Sequence, residues 1–211
     1  MMSSLHFEVL PESQLQIWKK LKLNASQLDS FGFYLAGGTA LALQLGHRRS
    51  VDFDFFSQKK AVAEGVHNWL GQFSQYILRD MNADTVHAEL DGVKLSFIGA
   101  YKYPAIETLL EADKVKIASI ADIGLMKLLA ITHRATLRDY IDLAAIIRDH
   151  VALTELLKKS KQKYGDSFNT MLPLKALVSF DDIDTEMPFL IDKDLSSSWK
   201  DILKRAVKKV V

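Results

Sequence analysis

Two aspartates separated by one residue, Asp52 and Asp54, stand in an otherwise apolar run, "SVDFDFFS". Alternation at period two makes this run a β-strand, with Val51, Phe53 and Phe55 on one face and both carboxylates on the other, about 6 to 7 Å apart. A buried carboxylate costs several kcal/mol unless it is paired. Two on one face suit a hard divalent cation with oxygen ligands, Mg²⁺ or Mn²⁺, which keeps waters and shares phosphate oxygens. The alternative is an edge strand with both groups solvated. Upstream, "FYLAGGTALALQLG" reads as a short strand, the pair Gly37–Gly38, and a helix with Thr39 as a candidate N-cap and Gly46 as its stop. At such a turn, backbone N–H groups and the helix dipole favour an anion; a plain tight turn is the other reading. His47, Arg48 and Arg49 just before the acidic strand could hold a triphosphate or form a solvated basic turn. The economical reading of the whole order is a triphosphate on the glycine turn and a metal ion on Asp52 and Asp54, serving an in-line phosphoryl displacement.

The elements that must carry these residues are those of an α/β half followed by a helical half. "LPESQLQIWKKLKL" starts a helix at Pro11, with Leu15, Trp18 and Leu21 on one stripe. A second helix is expected over 59–73, with Val62, Val66, Trp69 and Phe73 inward. "TVHAEL" and "VKLSFIGAY" are strands joined at Asp91–Gly92, the strongest hairpin signal in the chain. "KVKIASIADIGLMKLLAITHR" reads as a strand and then a helix that Ser119 or Asp122 caps. "ATLRDYIDLAAIIRDH" reads as the next helix, and residues 151–165 and 167–180 as further ones. "FDDIDTEMPFLIDKDLS" is an acidic loop, and a last helix starts near Ser198. The expected organisation is a nucleotide-handling α/β core over 1–112, built on a small mixed sheet, and a helical region over 113–211.

Bulk properties exclude several classes. Of 211 residues, 48% are hydrophobic and the net charge is +1, so there is material for a core and no overall basicity to suggest a nucleic-acid binder. Without cysteine there are no disulfides or thiolate metal sites. The N-terminus lacks a signal-peptide pattern, and no apolar run approaches the roughly 20 residues that cross a bilayer. A soluble, cytoplasmic protein with no membrane partner is expected. His67, His87, His133 and His150 lack metal-ligand spacing and read as surface or core residues. The cationic end "LKRAVKKVV" is a solvated helix end.

"GGTALALQLGHRRSVDFDFF" resembles the glycine-pair and Asp-x-Asp pattern of the DNA polymerase β-type nucleotidyltransferase superfamily. It is most similar to the AbiEii/AbiGii toxin-type members, in which Gly-Gly-Thr-Ala-Leu precedes an Arg-x-Ser element; Arg48 with Ser50, or Arg49 directly before Ser50, fills that element. A second block, "DIGLMKLLAITHRATLRDYIDLAAI", is similar to the family's helical motif at Lys127, Arg134, Arg138, Asp139 and Asp142. The resemblance implies a polymerase β-type core with a C-terminal helical bundle. It implies Asp52 and Asp54 on the metal, and a nucleoside triphosphate held by Gly37, Gly38, Thr39, Arg48, Arg49, Ser50, Arg134 and Arg138. The acceptor would be a tRNA end, a protein or a small molecule, and a type IV toxin would have a cognate antitoxin.

The second block also has a direct physical reading. Lys127 and Arg134 are seven residues apart, so one helical face would present both to phosphates. Asp139 or Asp142 would orient them or act as a base. Arg138 and Asp142 could equally form an i,i+4 surface pair. Lys127 stands inside an apolar run, which favours a functional role. The sequence departs from the superfamily at a third carboxylate, expected on "VKLSFI", where Ser96 stands. Glu89, Asp91 or Asp139 are the substitutes to consider, and a non-catalytic binding module or a kinase-like phosphotransferase are the competing readings.

Overall fold

In the computed structural model, which describes residues 5–166, 168–184 and 186–210, the chain divides into two compact units. One comprises the residues up to Gln44 and Ser50–Ser119; the other comprises Leu45–Arg49 and the chain from Ile120 on.

The first unit is built on a mixed sheet. Its elements are helices α1 (Glu12–Leu23) and α2 (Ala25–Ser30), strand β1 (Tyr34–Ala36), helix α3 (Gly37–Leu45, its last residue at the unit boundary), strand β2 (Asp52–Phe56), helix α4 (Ala63–Leu70), and strands β3 (Tyr76–Met81), β4 (Thr85–Leu90), β5 (Val93–Ile98), β6 (Leu110–Ala112) and β7 (Val115–Ile117). The seven strands lie in the order β3-β4-β5-β2-β1-β7-β6. β2 runs antiparallel to β1 and parallel to β5, and β7 runs parallel to β1. The α/β part therefore includes residues 113–119, grouped with the helical region on sequence alone, because β7 completes the sheet beside β1.

Period-two alternation sorts β2 as expected: Phe53 and Phe55 are fully buried, while Asp52 and Asp54 are half-buried. Phe55 stacks on Phe97 of β5 at 5.1 Å, and Trp18 of α1 packs on Phe53. Each such ring contributes roughly 1.5–3 kcal/mol by leaving water. Val51 departs from the expected stripe; it precedes the strand and is half-exposed. The hairpin joins β4 to β5 at Asp91 and Gly92, with φ of 50° and 77°. Both lie in the left-handed region that a two-residue hairpin turn requires.

Other expectations need correction. The helix expected over 59–73 is confined to α4, Ala63–Leu70, and the stretch that follows gives β3, an edge strand whose exposed Ile77, Leu78 and Met81 hide its alternation. Thr39 is not an N-cap, since α3 already begins at Gly37.

The second unit is helical: α5 (Ile120–Ala130), α6 (Leu137–Asp149), α7 (Leu153–Tyr164), α8 (Met171–Ala176) and α9 (Leu195–Lys208). The last helix starts three residues before the expected Ser198, and Ser167, where a helical stretch was expected to open, lies outside the described residues. Leu195, Trp199, Ile202, Leu203 and Ala206 form the buried stripe of α9, at the spacing of one helical face. Phe180, Trp199 and Tyr140 form an aromatic cluster, with Phe180 and Trp199 5.0 Å apart. The acidic loop has a structural job here: the Asp184 carboxylate accepts from the Leu137 amide at 3.1 Å, at the first turn of α6. Residues 45–49 join this unit through backbone pairing. Arg49 N–H donates to Phe189, the His47 carbonyl accepts from Ile191 and Asp192, and Arg48 bridges Leu190.

Candidate active site

The glycine turn and the acidic strand meet in the first unit. Ala36 is in register with Asp54, so the turn at the end of β1 lies beside the second carboxylate. Gly37 has φ of +72°, and a Cβ there would stand 2.9 Å from Asp54 Oδ2 and 3.5 Å from Asp54 Cβ. Only glycine lets the turn and the carboxylate share this space. Thr39, buried in the first turn of α3, lies 2.8 Å from the Ser50 hydroxyl and donates to the Asp52 carbonyl. Thr39 and Ser50 therefore tie the turn to the start of the acidic strand. Gly37→Ala should cost roughly 1–2 kcal/mol from the left-handed backbone alone and push the Asp54 carboxylate aside. A thermal midpoint lowered by about 2–8 °C, with a larger proportional loss of activity, is the expected outcome.

Ser96 occupies the position expected for the third acid: it pairs in register with Asp54 across the parallel β2–β5 ladder. Neither nearby substitute stands there. Glu89 is paired with Lys94 in the ladder and bonds Arg79 at 2.7 Å, and Asp91, in the turn, bonds Lys20 at 2.5 Å.

The second unit gathers the charged residues of the helical motif into one buried cluster. Asp142, fully buried on α6, receives Arg48 Nε at 2.6 Å and the second Arg48 nitrogen at 2.8 Å. Lys127 Nζ lies 2.7 Å from the same carboxylate and 2.6 Å from Asp139. His47 Nε2 is 2.8 Å from Asp142 Oδ1, and Arg134 Nε reaches Asp139 at 2.9 Å. Burial raises the Asp142 carboxyl, but the Arg48 and Lys127 charges and the hydrogen bonds from Arg48 and His47 hold it well below the usual carboxylate range. Burial lowers the Lys127 ammonium, and Asp142 and Asp139 more than offset this, leaving it above its ordinary range.

This arrangement revises three expectations. Lys127 and Arg134 do not share a helical face; α5 ends at Ala130 and both converge on Asp139 from opposite sides of the turn. Arg138 does not pair with Asp142, whose oxygens are taken by Arg48, Lys127 and His47; it lies 3.9 Å from the exposed Glu186. The Arg48 guanidinium is engaged by Asp142, whereas Arg49 stays exposed and stacks 4.2 Å over the Phe189 ring. Sequence reasoning missed His47 as a member of the cluster, and it missed a second buried pair, Lys163 to Asp122 at 2.7 Å. Asp122 carried the signal that singled out Lys127, a charge inside an apolar helical run.

His47 makes the cluster sensitive to pH. Its Nδ1 is buried without a hydrogen-bond partner, and burial, opposed by Asp142, holds the imidazole below its ordinary range. Below about pH 6.5, where a histidine in the unfolded chain takes up a proton, the native chain does not. Stability is therefore full above that pH and falls as the pH drops through it. In urea titrations the wild type should lose up to about 1.4 kcal/mol per pH unit between pH 6.5 and 5 from this group, and His47→Gln should show a correspondingly smaller loss.

Comparison with known proteins gives the family and the fold. The sequence model of the family described as "Nucleotidyl transferase AbiEii toxin, Type IV TA system" matches residues 24–210. An uncharacterized protein of Aquifex aeolicus (strain VF5) is 35% identical over 184 residues, covering 83% of this chain and 86% of that one. Among solved structures, MenT4, a nucleotidyltransferase toxin from Mycobacterium tuberculosis H37Rv, is similar with a TM-score of 0.62 and 18% identity, over 92% of this chain and 82% of its own. JHP933 from Helicobacter pylori is similar with a TM-score of 0.55 and 20% identity, over 95% of this chain and 94% of its own.

Proposed function

The chain belongs to the AbiEii nucleotidyl transferase toxin family of type IV toxin–antitoxin systems, and from that premise we propose a Mg²⁺-dependent transfer of a nucleoside monophosphate from an NTP to an RNA, protein or small-molecule acceptor. The observation that carries this reading is the close approach of Gly37 to the Asp54 carboxylate, which sets an anion-binding turn against an acidic strand. Asp52 and Asp54 fit a divalent cation as hard oxygen donors on one strand face. Among the described residues no group of three or more histidines or carboxylates is arranged to hold a metal, which suits an ion that completes its shell with water and phosphate. Bound there, the ion supplies charge neutralisation of the triphosphate and polarisation of its phosphorus.

The protein's own groups divide the remaining work. The Gly37 and Gly38 amides receive phosphate oxygens, and Thr39 and Ser50 hold that turn to the acidic strand. The acceptor hydroxyl attacks the α-phosphorus, and pyrophosphate leaves. Lys127, Arg48, Asp139 and Asp142, whose charges already satisfy one another, act by fixing the geometry of the helical motif. Arg49, Arg134 and Arg138 carry guanidinium groups at the surface of the second unit. A cognate antitoxin is the macromolecular partner that a type IV toxin would have. No helix among the described residues is long and apolar enough to cross a membrane.

A second reading, a binding module that keeps the nucleotide and has lost the chemistry, is favoured by one observation: Ser96 stands where the third acid would face Asp54. Incubation with NTPs labelled at the α or γ position, Mg²⁺ or Mn²⁺, and total cellular RNA and protein separates the readings. Transfer of the α label is the expected result. Transfer of the γ label alone would indicate a phosphotransferase, and nucleotide binding with no transfer would establish the binding module.

A further inference from the structure

Ser96 is one member of a row that crosses the sheet. On the face that carries Asp54, β5 contributes Ser96, β4 contributes His87 directly opposite it, and β3 contributes Asp80 directly opposite His87. Each step is a single cross-strand spacing, about 4.5–5.5 Å between Cβ atoms in the antiparallel pairs. Ser96 and His87 are both half-buried, in strands whose alternate residues Leu95, Phe97, Val86 and Ala88 are buried on the opposite face. The order along the row is thus carboxylate, imidazole, hydroxyl, and then the Asp54 carboxylate.

The last link depends on an irregularity. Leu78 pairs with Ala88, and a regular ladder would next set Arg79 against His87. The register instead shifts between Leu78 and Asp80, so that Asp80 pairs with His87. A bulge of this kind re-aims side chains, and such bulges recur beside active sites. Arg79, the extra residue, is drawn to Glu89 at 2.7 Å. The consequence is that the Asp80 carboxylate joins Arg79 opposite the imidazole, with Arg79 engaged by Glu89.

We propose that Ser96, His87 and Asp80 form a proton relay that takes the place of the missing third carboxylate. This inference rests on the nucleotidyl-transfer reading. As the acceptor oxygen bonds to the α-phosphorus, the bond from that phosphorus to the bridging oxygen of the leaving pyrophosphate breaks. The acceptor proton passes to the Ser96 hydroxyl while Ser96 gives its own proton to His87. The imidazolium so formed is held by Asp80 and returns its proton to water after pyrophosphate leaves. Ser96 contacts the acceptor; His87 acts through Ser96, and Asp80 positions His87.

The groups facing His87 are Arg79 and Asp80 from β3, Ser96 and Lys94 from β5, and Thr85 and Glu89 along its own strand, with Asp52 and Asp54 one strand further. The test compares the wild type, His87→Gln, His87→Ala, and His87→Gln combined with Ser96→Asp. It measures α-label transfer across a pH series and NTP affinity in parallel. A base positioned in this way contributes about 10²–10⁴-fold, so kcat should fall by that range in His87→Gln while NTP affinity is unchanged. The wild type should show an acid limb, with kcat rising with pH, that His87→Gln lacks. Free imidazole should restore part of the His87→Ala rate. Ser96→Asp should restore the His87→Gln rate at least tenfold, because it returns a carboxylate to the position opposite Asp54. An unchanged kcat and pH profile in His87→Gln, or a loss that neither imidazole nor Ser96→Asp repairs, would overturn the relay while leaving nucleotidyl transfer standing. Absence of α-label transfer by the wild type would overturn both.

Discussion

Exchanging both Asp52 and Asp54 for alanine is expected to reduce α-label transfer at least about a thousandfold, the equivalent of roughly 4 kcal/mol of transition-state stabilisation. The physical reason is that both groups project from one face of β2 beside the Gly37 turn, where a Cβ would stand 2.9 Å from Asp54 Oδ2. Two negative donors are what allow a divalent ion to sit against a triphosphate, and a strand with alanine at both positions offers no oxygen ligand there. The fold should survive the change. Both carboxylates are half-buried, and the core side of the same strand, Phe53 and Phe55, is untouched. Circular dichroism and the thermal midpoint should stay close to wild type, and the midpoint shift that Mn²⁺ induces in the wild type should disappear. Retained transfer in the double variant would show that the metal is bound elsewhere.

The largest effect on stability is expected in the second unit, at Asp142→Ala. Removing that carboxylate takes from the buried Arg48 guanidinium the two hydrogen bonds it makes to Asp142, and takes from Lys127 one of its two carboxylate partners. Breaking a buried pair in this way costs about 3–5 kcal/mol, because the cation keeps its desolvation penalty and loses the attraction that offset it. In a chain of this size the thermal midpoint should fall by roughly 6–20 °C. Pairing the change with Arg48→Met should recover part of the loss, since it removes the buried guanidinium together with the carboxylate that binds it. Arg138→Ala provides the contrast: its partner Glu186 is exposed and 3.9 Å away, and such pairs contribute at most about 1 kcal/mol. Equal losses for Asp142→Ala and Arg138→Ala would refute the picture of a buried keystone.

The conflict between these two sites and the first reading of the residues is instructive. Lys127 is conspicuous in the sequence because a cation inside an apolar helical run is costly, and that inference holds: the residue is buried and needs a partner. The step from "needs a partner" to "points at phosphate" is where local reasoning stops. Its partners are Asp139 and Asp142 on the next helix, and Asp142 is shared with His47 and Arg48, nearly a hundred residues earlier in the chain.

What the sequence determined by itself were the features whose physics is local. A strand exposes alternate residues to opposite faces, so the two-sided character of β2 follows from five letters. A two-residue hairpin needs two positive φ angles, so Asp91–Gly92 marks the β4–β5 turn and, with it, the register that sets Ser96 opposite His87. Tertiary structure decided the rest, because those features depend on which distant groups meet. An edge strand buried on neither side, β3, carries little alternation to read, and its bulge is visible only in the ladder that sets Asp80 against His87. Thr39 looked like a cap because capping is the local use of a threonine at a helix start, whereas Ser50 and the Asp52 carbonyl claim its hydroxyl across the turn. Charges act over distances that spacing along the chain does not encode, so the ion cluster around Asp142 exists only once the helices have packed.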